Sequence, residues 1–373
     1  MAGSFNWTHL HAQLHRTLLH RQILPSNQPL LVAVSGGQDS LCLIKLLLDL
    51  QPKWGWNLAI AHCDHRWRSD SEASANHVEQ LAKNWGISYY LQTASDTPKT
   101  EAAARQWRYQ ALTEIAIAHN YPYIVTGHTA SDRAETLLYN LIRGSGADGL
   151  SALTWMRPLA DFGLGNSAEN AKSKTCAEPF DCAQDKLRRS IQNSQSKIYL
   201  VRPLLEITRS QTGQFCQEQK LPIWEDSTNQ DFKYARNRIR SELLPYLETH
   251  FNPKAQQALA QTAELLRADV EYLELAASDL LQRAISPIED SPQVNYQLPL
   301  KLNRPILREA PLALQRRAMR QLLQQILPSA PSFESVEKLT SLIASPNRSQ
   351  TDPFPGGAIA RVENPSIILD IKL

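Results

Sequence analysis

Long apolar runs are missing from these 373 residues, and no run is long enough to span a bilayer. Cysteine is scarce and odd in number: Cys42, Cys63, Cys176, Cys182 and Cys216. No two of them are spaced Cys-x-x-Cys, so the pattern suggests neither a zinc knuckle nor a dithiol redox site. Met1 to Asn27 carries charged and His residues throughout and no secretory apolar core, so a soluble, cytoplasmic protein with no membrane partner is expected. An internal repeat is lacking. A charge excess is lacking too: 39 Lys and Arg oppose 37 Asp and Glu, a net charge of +2. Any nucleic-acid partner must therefore be argued from local patches. What is present is a 42% apolar content, enough for ordinary cores, in a chain of about two or three domains.

Strands and helices alternate from Pro29 to Gly144. Strands are predicted at Leu30–Val34, Leu58–His62, Ile87–Gln92 and Tyr123–Thr126, with helices at Ser40–Leu50, Ser71–Trp85, Thr100–His119 and Ser131–Arg143. This order implies an α/β fold, a parallel sheet with helices on both faces, whose ligands bind beyond the carboxyl ends of the strands. The stretch Asp161 to Lys197, polar and without period, reads as an insertion, and its Cys176 and Cys182 as incidental. Order resumes at Ile198–Leu205, then helices at Thr208–Lys220, Lys233–Thr249 and Ala255–Ile285. Helices at Ala310–Ile326 and Ser335–Ile343 and a hairpin over Ala358–Val362 and Ser366–Ile371 complete the chain. With a boundary near Asn252, residues 1–252 form a catalytic domain, and 253–373 a helical linker and a smaller α+β C-terminal domain.

Ser35-Gly36-Gly37-Gln38-Asp39-Ser40 sits where a buried strand, a glycine turn and a helix start meet. Backbone N–H groups and a helix dipole can hold a phosphate there. The glycines allow positive φ and close approach to a polyanion, while Ser35 and Ser40 add hydroxyl donors. Asp39 beside phosphate suits a Mg²⁺ anchor, or else caps the helix it opens. The turn lacks the Gly-Lys-Ser ending of a Walker loop. It resembles the signature of the PP-loop ATP pyrophosphatases, which split ATP between the α and β phosphates and place AMP on a substrate oxygen.

Four further stretches carry chemistry. In Gly127-His128-Thr129-Ala130-Ser131-Asp132-Arg133-Ala134-Glu135, Asp132 and Glu135 share a helical face opposite an expected buried face of Ala134, Leu137, Leu138, Leu141 and Ile142. The two acids stabilise the helix start through its dipole, or hold Mg²⁺ or a cationic substrate. In Glu101–Tyr109, Arg105 and Arg108 lie on one stripe with Glu101, either as a solvated ion pair or as contacts to an α-phosphate or RNA phosphate. His62-Cys63-Asp64-His65-Arg66-Trp67-Arg68 is dense in metal-ligand types, but strand alternation prevents them all converging, and a loop bordering an adenosine fits better. Finally Lys233, Arg236 and Arg240, with Arg238 nearby, make a basic helix after Trp224–Asn229, either a solvated face or an RNA-phosphate contact. The C-terminal Arg316, Arg317 and Arg320 share that ambiguity.

Over roughly residues 29–250 these motifs, in this order and with Arg143-Gly144-Ser145-Gly146 and Arg202-Pro203-Leu204-Leu205, resemble those of the tRNA(Ile)-lysidine synthetases. Phe354–Ile371 is similar to that family's first C-terminal tRNA-binding domain. The resemblance implies an ATP-dependent ligase that converts the wobble cytidine of the CAU-anticodon isoleucine tRNA to lysidine. ATP adenylates the cytidine C2 oxygen, and the ε-amine of free L-lysine then displaces AMP. It implies ATP on Ser35, Gly36, Gly37, Gln38, Asp39 and Ser40 with His62 and His128 beside it, and Mg²⁺ on Asp39. It places Arg108 at the α-phosphate, lysine on Asp132 and Glu135, and tRNA on Arg105, Lys233, Arg236, Arg238 and Arg240; a homodimer is allowed. Cys63 and Arg66 stand where the family usually has Val and Gly, and Ser131 where it has Asp. A PP-loop tRNA thiolase, or a non-catalytic RNA-binding protein on the same fold, are the alternatives.

Overall fold

The computed structural model describes residues 7–67, 70–159, 197–224, 232–233, 235–285 and 298–371. Arg68, Cys176, Cys182, Tyr234, nearly all of the 161–197 insertion and most of the Trp224–Asn229 motif lie outside the described residues.

The chain divides into two compact units, 1–267 and 268–373. The first opens with α1 (His9–Arg21), then β1 (Pro29–Ala33), α2 (Gln38–Trp54), β2 (Asn57–Asp64), α3 (Ser71–Trp85), β3 (Ser88–Thr93), α4 (Glu101–Ala118), β4 (Tyr123–Thr126) and α5 (Ala130–Ile142). After α6 (Ala147–Leu150) come β5 (Met156–Leu159), β6 (Ile198–Val201) and α7 (Arg209–Glu218). Next are α8 (Ala235–Arg238), a π-helical turn at Ile239–Leu243 and α9 (Leu244–His250). The long α10 (Ala255–Ala284) contains the division at 267.

The strand order is β3-β2-β1-β4-β6-β5. All neighbours pair in parallel except β5, which lies antiparallel against β6 at the sheet edge, with Leu159 opposite Ile198. Central β1 reads as a continuous apolar run because helices cover both its faces; Leu30, Leu31 and Val32 are fully buried. The parallel α/β sheet expected from sequence is present, with one antiparallel edge added.

The second unit has its own core. It adds β7 (Leu300–Asn303), α11 (Arg304–Glu309), α12 (Leu312–Ile326), α13 (Phe333–Ser341), β8 (Ala358–Glu363) and β9 (Ser366–Ile371), with sheet order β7-β9-β8, all antiparallel. Arg304 is buried and donates to the carbonyls of Ile343 and Ser345 and to Asn364. Arg316 and Arg317 form ion pairs with Glu337 and Glu274. No helix among the described residues is long and apolar enough to cross a membrane.

A polar clasp holds the first unit together. Glu264 on α10 accepts from Arg133 on α5 at 2.8 Å, from Arg21 on α1 at 2.7 Å and from Trp155 Nε1 at 2.9 Å. Arg133 is 2% exposed and also donates to the Leu153 carbonyl at 2.8 Å. Burial pulls the Arg133 pKa down, and Glu264 works against that. Burial alone would raise the Glu264 carboxyl, but Arg133, Trp155 and Arg21 outweigh it and hold it below its ordinary value. Such a carboxyl adds stability above its unfolded pKa, about 4.3, and loses it as pH falls through the folded value. Glu264→Ala strands a buried guanidinium, which typically costs about 3–5 kcal/mol. The lower end applies here because the Glu264 side chain is 30% exposed. Chemical denaturation should show that loss at pH 7, and the gap between mutant and parent should narrow below about pH 4.

Candidate active site

The turn after β1 is pinned by its own hydroxyls. The Ser35 N–H donates to Ser40 Oγ at 3.2 Å, and the Ser40 hydroxyl donates to the Gly37 carbonyl at 2.8 Å. Gly36 takes φ +86°, and its carbonyl accepts the Trp224 N–H at 3.0 Å. Gly37 is the N-cap of α2 and offers no side chain, so the first amides of α2 stay available at the turn. Asp39 does not cap: it sits one residue inside the helix, its Oδ1 accepting the Thr212 hydroxyl at 2.5 Å and its Oδ2 3.4 Å from Arg209 Nη1. Gln38 turns to α7, donating to the Arg209 carbonyl at 2.6 Å and to Thr212 Oγ1 at 2.9 Å.

β4 brings the second motif against the first. A Cβ on Gly127 would lie 2.9 Å from the Asp39 carbonyl oxygen, so only glycine permits this approach. Between the two motifs opens a cavity of about 360 Å³, lined by Ser35, Asp39, Arg108, His128, Asp132 and Arg209 among others. It lies beyond the carboxyl ends of β1 and β4, as expected for this topology.

The acids are individually constrained. Asp132 Oδ2 accepts both the backbone N–H and the hydroxyl of Thr129 at 2.7 Å, so the helix-capping role is real. Asp132 Oδ1 lies 3.5 Å from Arg240, and the residue also forms part of the cavity wall. Glu135 is 3% exposed, with both carboxylate oxygens held by Arg240 at 2.6 and 2.8 Å. Burial raises the Glu135 carboxyl pKa, and Arg240 opposes it. Burial likewise raises Asp39; Arg209 opposes this and the nearby Asp132 charge adds to it.

His128 is half-buried, its Nδ1 2.9 Å from Thr126 Oγ1. Burial first, then the charges of Arg202, Arg105, Arg108 and Arg236, push its pKa well below the ordinary range, so it is neutral at pH 7. Of the basic residues expected to meet RNA, Arg105 lies over Tyr109, Arg236 sits 3.7 Å from Glu101, Arg240 serves the acids, and Lys233 and Arg238 are exposed. His62 is placed elsewhere: it is buried, and its Nδ1 lies 2.7 Å from the Val34 carbonyl oxygen, while its strand neighbours Ala61 and Cys63 line the cavity. Asp64 also turns away, accepting the Arg66 N–H at 2.8 Å. Among the described residues no three His, Cys, Asp or Glu side chains are grouped to hold a metal ion.

The PP-loop domain family model matches residues 8–247, and the TilS substrate binding domain model matches residues 302–364. A tRNA(Ile)-lysidine synthase of Nostoc sp. is 62% identical over 97% of each chain. The chain belongs to the tRNA(Ile)-lysidine synthase family. A synthase of Synechocystis sp. is 48% identical over 96% of both chains, and a chloroplastic one of Zygnema circumcarinatum 40% identical over 88% of this chain and 78% of that one. A U34-tRNA thiolase, NcsA from Methanococcus maripaludis with its [4Fe-4S] cluster, shares the fold: TM-score 0.52, 16% identity, covering 69% of this chain and 78% of that one. That likeness speaks to architecture alone.

The departures from the lysidine synthase pattern have structural readings. Ser131 is buried away from the cavity, donating to Gln256 Oε1 at 2.5 Å and accepting the Arg209 N–H at 3.1 Å. It therefore ties α5, α7 and α10 together. Arg66 has φ +59°, the left-handed conformation that a glycine would adopt without strain. Sequence reasoning missed Arg209 and Thr212. Their only local signal is the Thr208–Gln211 capping box that starts α7.

The raised Asp39 carboxyl sets a prediction. A folded pKa above the unfolded value, about 3.9, makes the ionised group a cost to folding above that pH. Asp39→Asn should therefore keep or raise the thermal midpoint at pH 7, with the advantage vanishing below about pH 4. A lowered midpoint at pH 7 would show that the Thr212 and Arg209 contacts outweigh the desolvation.

Proposed function

We propose that the protein ligates free L-lysine to C2 of the wobble cytidine in the CAU-anticodon isoleucine tRNA. ATP is consumed to AMP and pyrophosphate through an adenylated tRNA, and the modified codon reading shifts from AUG to AUA. The observation that carries this reading is the single cavity joining a phosphate-type turn, an arginine and a carboxylate at the strand ends. The family's name and its two matched domains support it.

The chain's own groups divide the work. The Ser35–Ser40 turn and the α2 amides bind the leaving pyrophosphate. Arg108 on the cavity wall offsets charge at the α-phosphate. His128, neutral among arginines, adds no further positive charge to that wall. Mg²⁺ fits the donor set, because Asp39 and Asp132 share one wall and the Asp132 charge raises the Asp39 carboxyl, and the ion would neutralise phosphate charge there. Asp132 receives the lysine ammonium and helps remove its proton before attack, with a rate effect of about 10²–10⁴ typical of such groups. Glu135 acts through Arg240, which its carboxylate grips. Arg105, Lys233, Arg236 and Arg238 contact the tRNA backbone, and the target base is splayed into the cavity. The reaction takes place in the cytoplasm, and a homodimer is compatible with it.

Incubation with a CAU-anticodon isoleucine tRNA, Mg-ATP and labelled lysine is expected to give a nucleoside carrying lysine mass. A sulfur-dependent product without lysine would establish the thiolase alternative instead. Asp39→Asn should abolish adenylation while tRNA binding survives. Arg236→Ala should weaken tRNA binding and flatten its salt dependence by about one unit of slope.

A further inference from the structure

The face of α5 that carries the acids does not stop at the cavity. Asp132 and Tyr139 are seven residues apart, two turns, and Arg143 follows one turn later. The three lie on one stripe that runs roughly 10 Å outward from the Asp132 wall before it reaches Tyr139. The Arg143 guanidinium carbon lies 5.2 Å from the Tyr139 ring centroid, and its Nη1 donates to the Tyr139 hydroxyl at 3.0 Å. Arg236 approaches the same ring at 5.6 Å. The end of the stripe is closed by backbone hydrogen bonds: Gly144 takes φ +72°, its N–H donates to the Leu141 carbonyl, and the Ser145 N–H donates to the Asn140 carbonyl.

The charge there is not compensated. Among the described residues Arg143 meets no carboxylate, and Arg236 meets only the exposed Glu101 at 3.7 Å. Two cations around one neutral ring repel each other, so the arrangement favours an incoming anion. Leu141 and Ile142, expected from sequence to be buried, are instead 53% and 68% exposed beside Arg143. An aromatic ring, planar guanidiniums and apolar surface in one place suit an unstacked base with its phosphate.

We propose that Tyr139 and Arg143 form a platform for the nucleotide adjacent to the modified one. The base stacks on the aromatic–guanidinium pair and Arg143 takes its phosphate. The platform thus holds the single-stranded loop so that the neighbouring base reaches the cavity. This rests on the reading of the protein as a tRNA-modifying enzyme.

The test is a salt series of binding measurements with a labelled CAU anticodon stem-loop and the full chain. Tyr139→Leu, which keeps bulk but removes the ring, is expected to weaken binding roughly tenfold or more with an unchanged salt slope. It should raise KM for tRNA and leave KM for lysine unchanged. Tyr139→Phe should bind close to the parent. Arg143→Ala should flatten the slope by about one unit. Parent-like binding by Tyr139→Leu overturns the proposal. So does a slope change in that variant equal to the Arg143→Ala change, which would make Tyr139 only a support for arginines. If Tyr139→Leu does not fold, the exposed Arg143→Ala decides, and an unchanged slope overturns the platform. Failure of the parent protein itself to bind the stem-loop would instead overturn the tRNA reading.

Discussion

Everything at the site depends on a backbone-to-backbone contact. The chain leaving β4 passes so near the start of α2 that a methyl group on Gly127 would strike the Asp39 carbonyl oxygen. Without that approach the phosphate-type turn and the acid-bearing helix α5 would face separate volumes. With it, Asp39 and Asp132 share a wall, and the Asp132 charge raises the Asp39 carboxyl. The remaining site groups come from the later chain: Arg209 and Thr212 on α7, and Arg240 in the π-helical turn. The cavity is thus assembled from segments far apart in sequence around one narrow crossing.

The charge arrangement favours function over stability. Burial works against the Arg240 charge, yet Glu135 and Asp132 outweigh it and hold the guanidinium firmly protonated. A buried pair such as Arg240–Glu135 contributes little net stability when its desolvation is counted. What it does supply is alignment: Arg236 meets Tyr139 and Arg240 meets Glu135, four residues apart on both elements. The Arg133–Glu264 clasp is the structural counterpart, with no atom on the cavity wall.

Much of this was legible in the chain. The Ser35–Ser40 turn fell at a strand end because an apolar run and a helical period flank it, and Asp132 with Glu135 fell on one face by spacing alone. The family followed from the order of several motifs, which one glycine turn would not have given. Other features were hidden for physical reasons. β5 contains Pro158, which weakens any strand signal, and its edge position tolerates that residue. His62 is not on the cavity wall: alternation along β2 presents its neighbours Ala61 and Cys63 there, while its own Nδ1 meets the Val34 carbonyl. Leu141 and Ile142 fit the apolar period of α5, yet the helix outruns its packing partner there. Gln38 sits inside the phosphate motif and bolts down α7, a partner more than a hundred residues away that no local pattern announces.

Leu159 and Ile198 face each other across the β5–β6 ladder, so the two described positions that flank the insertion are held at one rung of the sheet. Chain added between those two positions changes no register and moves no strand. The entropy of closing such a loop grows only logarithmically, by about 0.6 kcal/mol for each doubling. That edge is therefore a length-tolerant port in the architecture, where a lineage can gain or shed sequence without disturbing the catalytic end of the sheet.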